Sequence, residues 1–161
     1  MTAGAAPDER ATTDDALLGG QVRYRQPARG YRVGLEAPLL AAFALPPGRR
    51  PPRAIVDLAA GPGAVGLCLG WWRPSARLTL VERDPWHAEL ARHNVASNAL
   101  GERSQVIEGD AADCDTRLGR GVADLVVSNP PWFVRGAGAD YTPDVHALLW
   151  PERLAPPASS R

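Results

Sequence analysis

The apolar and polar positions fall into two kinds of pattern between about residues 20 and 135. Short apolar runs at 54–59 (AIVDLA), 77–82 (RLTLVE), 104–110 (SQVIEGD) and 123–129 (ADLVVSN) have the length of strands and are bounded by turn-forming residues. Longer segments rich in helix formers lie at 34–45 (GLEAPLLAAFAL), 64–72 (AVGLCLGWW) and 85–100 (PWHAELARHNVASNAL). Pro38 and Pro85 fit the first turns of their helices, where a missing N–H leaves nothing unsatisfied. The run PPGRRPPR at 46–53 stops the first helix. Strands apolar at nearly every position are covered on both faces. Their alternation with helices predicts βαβ units, right-handed crossovers and a parallel sheet in three α/β/α layers. Residues 1–15, small and acidic, read as a disordered tail, and 136–161 as an irregular proline-rich one. One domain over 16–135 is the expected organisation.

Composition narrows the class without choosing a function. A chain of 161 residues and 17.2 kDa suits one domain, and 45% hydrophobic with 22% charged residues is ordinary globular usage. No apolar run approaches the roughly 18 residues of a membrane span. The start lacks a basic stretch followed by an apolar one, so a cytoplasmic location is expected. Cys68 and Cys114 are too few for a disulfide scaffold and read as reduced thiols. His87, His93 and His146 lack ligand spacing, so no metal site is expected. Net charge is zero but unevenly placed: residues 21–53 carry seven Arg against Glu36 alone. Such a stretch is a candidate phosphate contact.

Candidate chemistry begins at Ile55-Val56-Asp57-Leu58-Ala59-Ala60-Gly61-Pro62-Gly63, which passes from strand to helix. Gly61 and Gly63 permit a tight turn and close approach of a ligand to the backbone. The helix that follows aims its first amides at that ligand. Glu82 ends the next strand, where a carboxylate accepts from both ribose hydroxyls of a nucleoside. Asp110 follows the third strand beside the same crevice and can accept from an exocyclic adenine amine. Residues 61–66, GPGAVG, also match the G-x-G-x-x-G of dinucleotide sites. Asp57 separates the two ligands. A carboxylate there suits the cationic methionine portion of S-adenosylmethionine and repels a pyrophosphate, so S-adenosylmethionine is the expected cofactor.

The fourth strand runs into Asn129-Pro130-Pro131-Trp132. A conjugated NH2 is a poor nucleophile because its lone pair is delocalised. If the Asn129 side-chain oxygen and the Pro130 carbonyl accept its hydrogens, the nitrogen moves toward tetrahedral geometry and its lone pair turns to the sulfonium methyl. The two prolines hold these acceptors in place, and Trp132 can stack on a base turned out of its helix or loop. Proton loss follows methyl transfer, so a general base with a shifted pKa is not required.

At this point the chain resembles class I S-adenosylmethionine-dependent methyltransferases with an Asn-Pro-Pro-aromatic motif. Over about residues 15–135 it is more closely similar to bacterial N6-adenine methyltransferases of valine transfer RNA. That second likeness rests on Leu18-Gly19-Gly20-Gln21-Val22-Arg23-Tyr24-Arg25-Gln26-Pro27 and on Gly30-Tyr31-Arg32-Val33-Gly34-Leu35-Glu36. The resemblance implies a Rossmann-like fold and transfer of methyl to the N6 amine of adenine in RNA, with tRNA as partner. It places Gln26, Gly34 and Glu36 in a loop and helix start that close over the cofactor. Asp57, Ala59, Gly61 and Gly63 surround the methionine end, with Glu82 at the ribose and Asp110 near the adenine. Asn129, Pro130, Pro131 and Trp132 hold the target amine.

Three departures qualify the likeness. Ala59 stands where the loop's first glycine is usual, which is tolerable if its φ is negative. Trp132 replaces the commoner Tyr or Phe. The strands that ordinarily complete the family's sheet are not recognisable after residue 135, so the sheet is expected to be incomplete at its C-terminal edge, with Val126 on it. Two alternatives therefore stand beside RNA methylation. One is a protein glutamine N5-methyltransferase, which uses the same amide chemistry; the other is an inactive truncated remnant that only binds cofactor.

Overall fold

The computed structural model describes residues 10–130. The chain divides into two units, residues 1–129 and 130–161, and the fold is that of the first. Its elements are β1 (Thr12–Leu17), β2 (Val22–Pro27), α1 (Glu36–Phe43), β3 (Ala54–Leu58), α2 (Ala64–Trp72), β4 (Arg77–Glu82), α3 (Pro85–Ser97), β5 (Ser104–Glu108), α4 (Cys114–Leu118) and β6 (Leu125–Ser128). Strands β3 to β6 form a parallel sheet in the order β5-β4-β3-β6. The first two crossovers step one way and the third steps back across β3. With right-handed connections, α2 and α3 therefore cover one face and α4 the other. This is the α/β sheet expected from the sequence. Among the described residues β6 pairs with β3 alone.

Alternation along β3 sorts the two faces. Ile55 joins the main core with Leu67, Leu69, Leu78 and Leu80. Val56 and Leu58 point the other way, into a shallow apolar groove shared with Leu118, Val122 and Val126. The starts of β3 and β6 are tied by Asp124, whose Oδ2 accepts from the amides of Arg53 and Ala54 at 2.7 and 3.0 Å. At α3, Asp84 accepts from the His87 amide and Pro85 takes the first position, an ordinary N-cap.

Two sequence expectations fail in the N-terminal segment. Residues 12–15, expected in a disordered tail, belong to β1, which pairs antiparallel with β2. In β2, Val22, Tyr24 and Gln26 face inward and Arg23 and Arg25 outward. The other edge of β2 is held by α3. Asn94 Oδ1 accepts from the Arg25 amide at 2.7 Å while its Nδ2 donates to the Arg25 carbonyl at 2.8 Å. Asn98 does the same for Arg23, at 2.9 and 2.7 Å. Four residues of helix rise about 6 Å and two of strand about 6.6 Å, so the two spacings match. The two asparagines act as a substitute neighbouring strand. The other failure is Gln26, expected in a loop over the cofactor: it lies buried in β2. No described helix is long and apolar enough to cross a membrane.

Candidate active site

All four parallel strands end on one side, and the polar side chains gather there. The loop after β3 turns through Ala59 at φ +52°, Gly61 at +55° and Gly63 at +93°. Gly63 has no room for a side chain, since a Cβ would stand 2.7 Å from Leu80 Cδ2. Gly61 is open, with nothing within 4 Å of that position. The loop is thus packed on its inner side and accessible on its outer one. The positive φ of Ala59 overturns the expectation of a negative one. The turn keeps the left-handed conformation a glycine would adopt, at a cost of about 1–2 kcal/mol for a residue with a Cβ.

Glu82 is buried and takes part in building this loop. Its Oε2 accepts from the Gly61 amide at 2.7 Å and its Oε1 from the Asp84 amide at 2.8 Å. These two bonds aim the carboxylate along the end of β4. A carboxylate oxygen accepts more than one donor, so hydroxyls of a ligand can be added to this set. Asp110 ends the turn after β5. Its Oδ1 accepts from the Ala112 amide at 2.9 Å, and its Oδ2 lies 3.4 Å from the Arg83 guanidinium.

Asp57 is placed differently from its sequence expectation. Its carboxylate is buried beneath the loop, where Oδ2 accepts from the Gly66 amide at 2.8 Å. Gly66 has little space for a Cβ, which would come 3.1 Å from that oxygen. Burial pushes the Asp57 carboxyl up to about 7, against the pull of the Gly66 amide; Glu82 adds repulsion in the same direction as burial. Asp57 therefore shapes the loop from within, and any attraction it exerts on a cationic ligand passes through the turn.

The segment before α1 contributes a second cluster. Glu36, in the first turn of α1, accepts from the Gly34 amide at 2.8 Å and from the Tyr31 hydroxyl on the same Oε1. A Cβ on Gly34 would lie 2.7 Å from Glu36 Oε2, so glycine is required by close approach. Burial raises the Glu36 carboxyl, but the Gly34 amide and the Tyr31 hydroxyl outweigh it and hold the group below its ordinary value. The side chain of Asn129 also bonds the Tyr31 hydroxyl. Gln26 faces away into the hairpin: its Oε1 accepts from the Val33 amide and its Nε2 donates to Asp15, both at 2.9 Å.

Asn129 leaves β6 directly after Ser128, whose hydroxyl donates to the Leu58 carbonyl at 2.9 Å. The start of the Asn-Pro-Pro motif is thereby tied to the end of β3, where the glycine loop begins. Pro130 is the last described residue; Pro131 and Trp132 lie outside the described residues. Two contributors escaped the sequence reading. Tyr31 joins Glu36 to Asn129. Asn94, buried on α3, donates to the Pro62 carbonyl at 2.9 Å and so supports the glycine loop. A polar residue on the inner side of α3 was the available signal for Asn94.

The described basic residues are less uniformly exposed to a partner than the sequence suggests. Arg25 pairs with Asp14 at 2.7 Å and Arg32 with Asp15 at 2.9 Å, so the acids of β1 neutralise two of the seven Arg of residues 21–53.

Comparison with known proteins places this geometry. The model of the methyltransferase small domain matches residues 39–147. A tRNA1(Val) (adenine(37)-N6)-methyltransferase of Porphyromonas gingivalis is 37% identical over 105 residues, covering 63% of this chain and 41% of that protein. A release factor glutamine methyltransferase of Mycolicibacterium smegmatis is 44% identical over 102 residues, covering 59% of this chain and 34% of that protein. The chain spans about two fifths or less of the length of these relatives. The crystal structure of M. jannaschii TYW2 in complex with AdoMet superposes with a TM-score of 0.62 at 18% identity, over 89% of this chain and 57% of that one. At that identity the likeness is one of fold.

Proposed function

The chain belongs to the methyltransferase small domain family, and from that premise we propose that it is an S-adenosylmethionine-dependent N-methyltransferase acting on the N6 amine of adenine in RNA, with tRNA as the substrate class. The domain that does this runs from the β1–β2 hairpin to about residue 135. The residues suit the cofactor. Gly61 leaves the outer side of the loop open, while Glu82 and Asp110 offer acceptors to hydroxyls and an amine. Backbone at Gly61 and Gly63 would line the methionine end, Glu82 would take the ribose and Asp110 the adenine. Bound there, S-adenosylmethionine supplies an electrophilic methyl group.

The observation that carries the reading is the position of Asn129. It follows the strand beside β3, and Ser128 fastens it to the strand that feeds the glycine loop. Its carboxamide oxygen accepts one hydrogen of the target amine and the Pro130 carbonyl the other, which localises the nitrogen lone pair. That pair forms the new N–C bond, and the surplus proton leaves the nitrogen afterwards. Orientation of the amine supplies the acceleration. Adenine in RNA is supported by the 37% identical relative and by the Arg content of residues 21–53. A glutamine carboxamide is the second reading, supported by the 44% identical relative.

The test joins binding to turnover. Titration with S-adenosylhomocysteine is expected to show saturable binding that NAD does not displace. Labelled methyl is expected in bulk tRNA as N6-methyladenosine. Asn129→Ala should lower kcat by about a hundredfold, or ~3 kcal/mol, with cofactor affinity unchanged. A wild-type rate in that variant removes the mechanism. Transfer to protein glutamine and none to tRNA selects the second reading. Binding without transfer to any substrate leaves an inactive cofactor-binding remnant.

A further inference from the structure

A carboxamide can serve as acceptor for an amine only when its oxygen, and not its NH2, faces that amine. The two ends of the Asn129 side chain are nearly the same size, and a half-turn about the last bond exchanges them. In the wrong orientation two N–H groups confront the hydrogens of the target. Something must therefore hold Asn129 one way round.

Resting on the reading of Asn129 as the acceptor of the target amine, we propose that Tyr31 is a positioning residue that fixes the Asn129 carboxamide with its Oδ1 toward the substrate. The argument is an inventory of protons. Tyr31 has a single hydroxyl proton, and it is given to Glu36 Oε1. Glu36 is held in turn by the Gly34 amide at 2.8 Å, on a backbone that leaves no space for a side chain at Gly34. With its proton committed, the Tyr31 oxygen can only accept. The Asn129 side chain bonds this same hydroxyl. Of its two ends only Nδ2 can donate, so Nδ2 faces Tyr31 and Oδ1 faces away from it.

The result is a directed chain from carboxylate to phenol to carboxamide. Each bond polarises the next, and an amide that donates through nitrogen carries more negative charge on its oxygen. Both Glu36 and the hydroxyl keep the states this chain needs near neutral pH. The Glu36 carboxyl lies below its ordinary value. Burial, followed by the bond to Glu36, pushes the Tyr31 phenol up to about 12. The same chain explains Gly34 and Glu36 as supports of Tyr31. It links the N-terminal segment to the reacting end of β6.

Tyr31→Phe keeps the ring and removes only the hydroxyl. With the purified full chain, kcat for tRNA methylation is expected to fall about tenfold, while KM for tRNA and affinity for S-adenosylhomocysteine stay within about twofold. Glu36→Gln should give a smaller fall, because a neutral acceptor remains. A second readout is independent of turnover. The 1H–15N resonances of the Asn129 side-chain amide, identified by their loss in Asn129→Asp, should shift in Tyr31→Phe and exchange faster with solvent, with the melting temperature preserved. Unmoved amide resonances together with an unchanged kcat overturn the proposal. So does a change confined to KM, which would make Tyr31 a surface on which the base stacks. If instead Asn129→Ala keeps the wild-type rate, the reading of Asn129 has failed, and the amide resonances still decide which way that side chain is held.

Discussion

Strand β3 has a neighbour on each side, and the two neighbours are covered very differently. On one side, Val81 of β4 is 1% exposed beneath α2 and α3; on the other, Val126 of β6 is 55% exposed. The polar groups follow the same division. Toward β4, Asp57, Glu82 and Asn94 are buried, and each holds the backbone of the glycine loop or its neighbours. Toward β6, the Asn129 side chain is held through the partly exposed Tyr31, and Ser128 bonds the end of β3. The loop proposed to hold cofactor is thus part of the hydrophobic core, and the group proposed to activate the amine depends on local tethers. A binding half that is rigid and a reacting half that is tethered predict different sensitivities to substitution.

The sharpest test of this contrast is a matched pair. Val81→Ala opens space in a closed core and is expected to cost about 2–3 kcal/mol, whereas Val126→Ala should change stability by no more than about 0.5 kcal/mol. Chemical denaturation of both variants measures the difference, and equal losses would show that β6 is as well covered as β4.

Asp57 provides the next largest effect, through pH. Its carboxyl ionises near 3.8 in an unfolded chain and at about 7 when folded. The folded state therefore binds the proton more tightly. The contribution of this group to stability is complete below pH 3.8 and is lost as pH rises through 7. Asp57→Asn keeps an oxygen for the Gly66 amide and removes the buried charge. It should stabilise the chain at pH 8 by on the order of 2 kcal/mol and flatten the dependence of melting temperature on pH between 4 and 7. A variant with the wild-type slope would place the titration elsewhere.

The smallest effect concerns the loop itself. Ala59 holds φ +52°, a conformation glycine adopts without penalty. Ala59→Gly should raise stability by about 1 kcal/mol, reduced by the greater freedom of glycine in the unfolded chain, and leave affinity for S-adenosylhomocysteine unchanged. A loss of stability would mean the Ala59 methyl contributes more by packing than its backbone costs.

Much of the architecture was legible because its signals are local. The predicted helix at 64–72 and strand at 77–82 match α2 and β4 residue for residue, since Gly, Pro and charged residues bound runs that are apolar throughout. The β1–β2 hairpin was not legible. Strand β1, TTDDAL, is exposed along most of its length, so it carries no apolar alternation to read. Its stability comes from partners elsewhere in the sequence, including Arg32 and the asparagines of α3 that hold β2. The turn at Gly19 and Gly20 was the local clue, and taken alone it fits any loop.

The candidate site divides along the same line. Sequence alone determined which residue types stand at the carboxyl ends of the four strands, because strand length and turn residues are encoded within a few positions. It also determined that Gly61 and Gly63 form a turn. What only the tertiary structure decided is the direction in which each side chain faces. Asp57 turns under the loop to Gly66, Gln26 turns into the hairpin, and Tyr31 comes between Glu36 and Asn129. Spacing along the chain is silent on these choices, because each is made by a partner lying beyond the short-range pattern, and a buried polar group goes to whichever donor or acceptor the packing brings within reach.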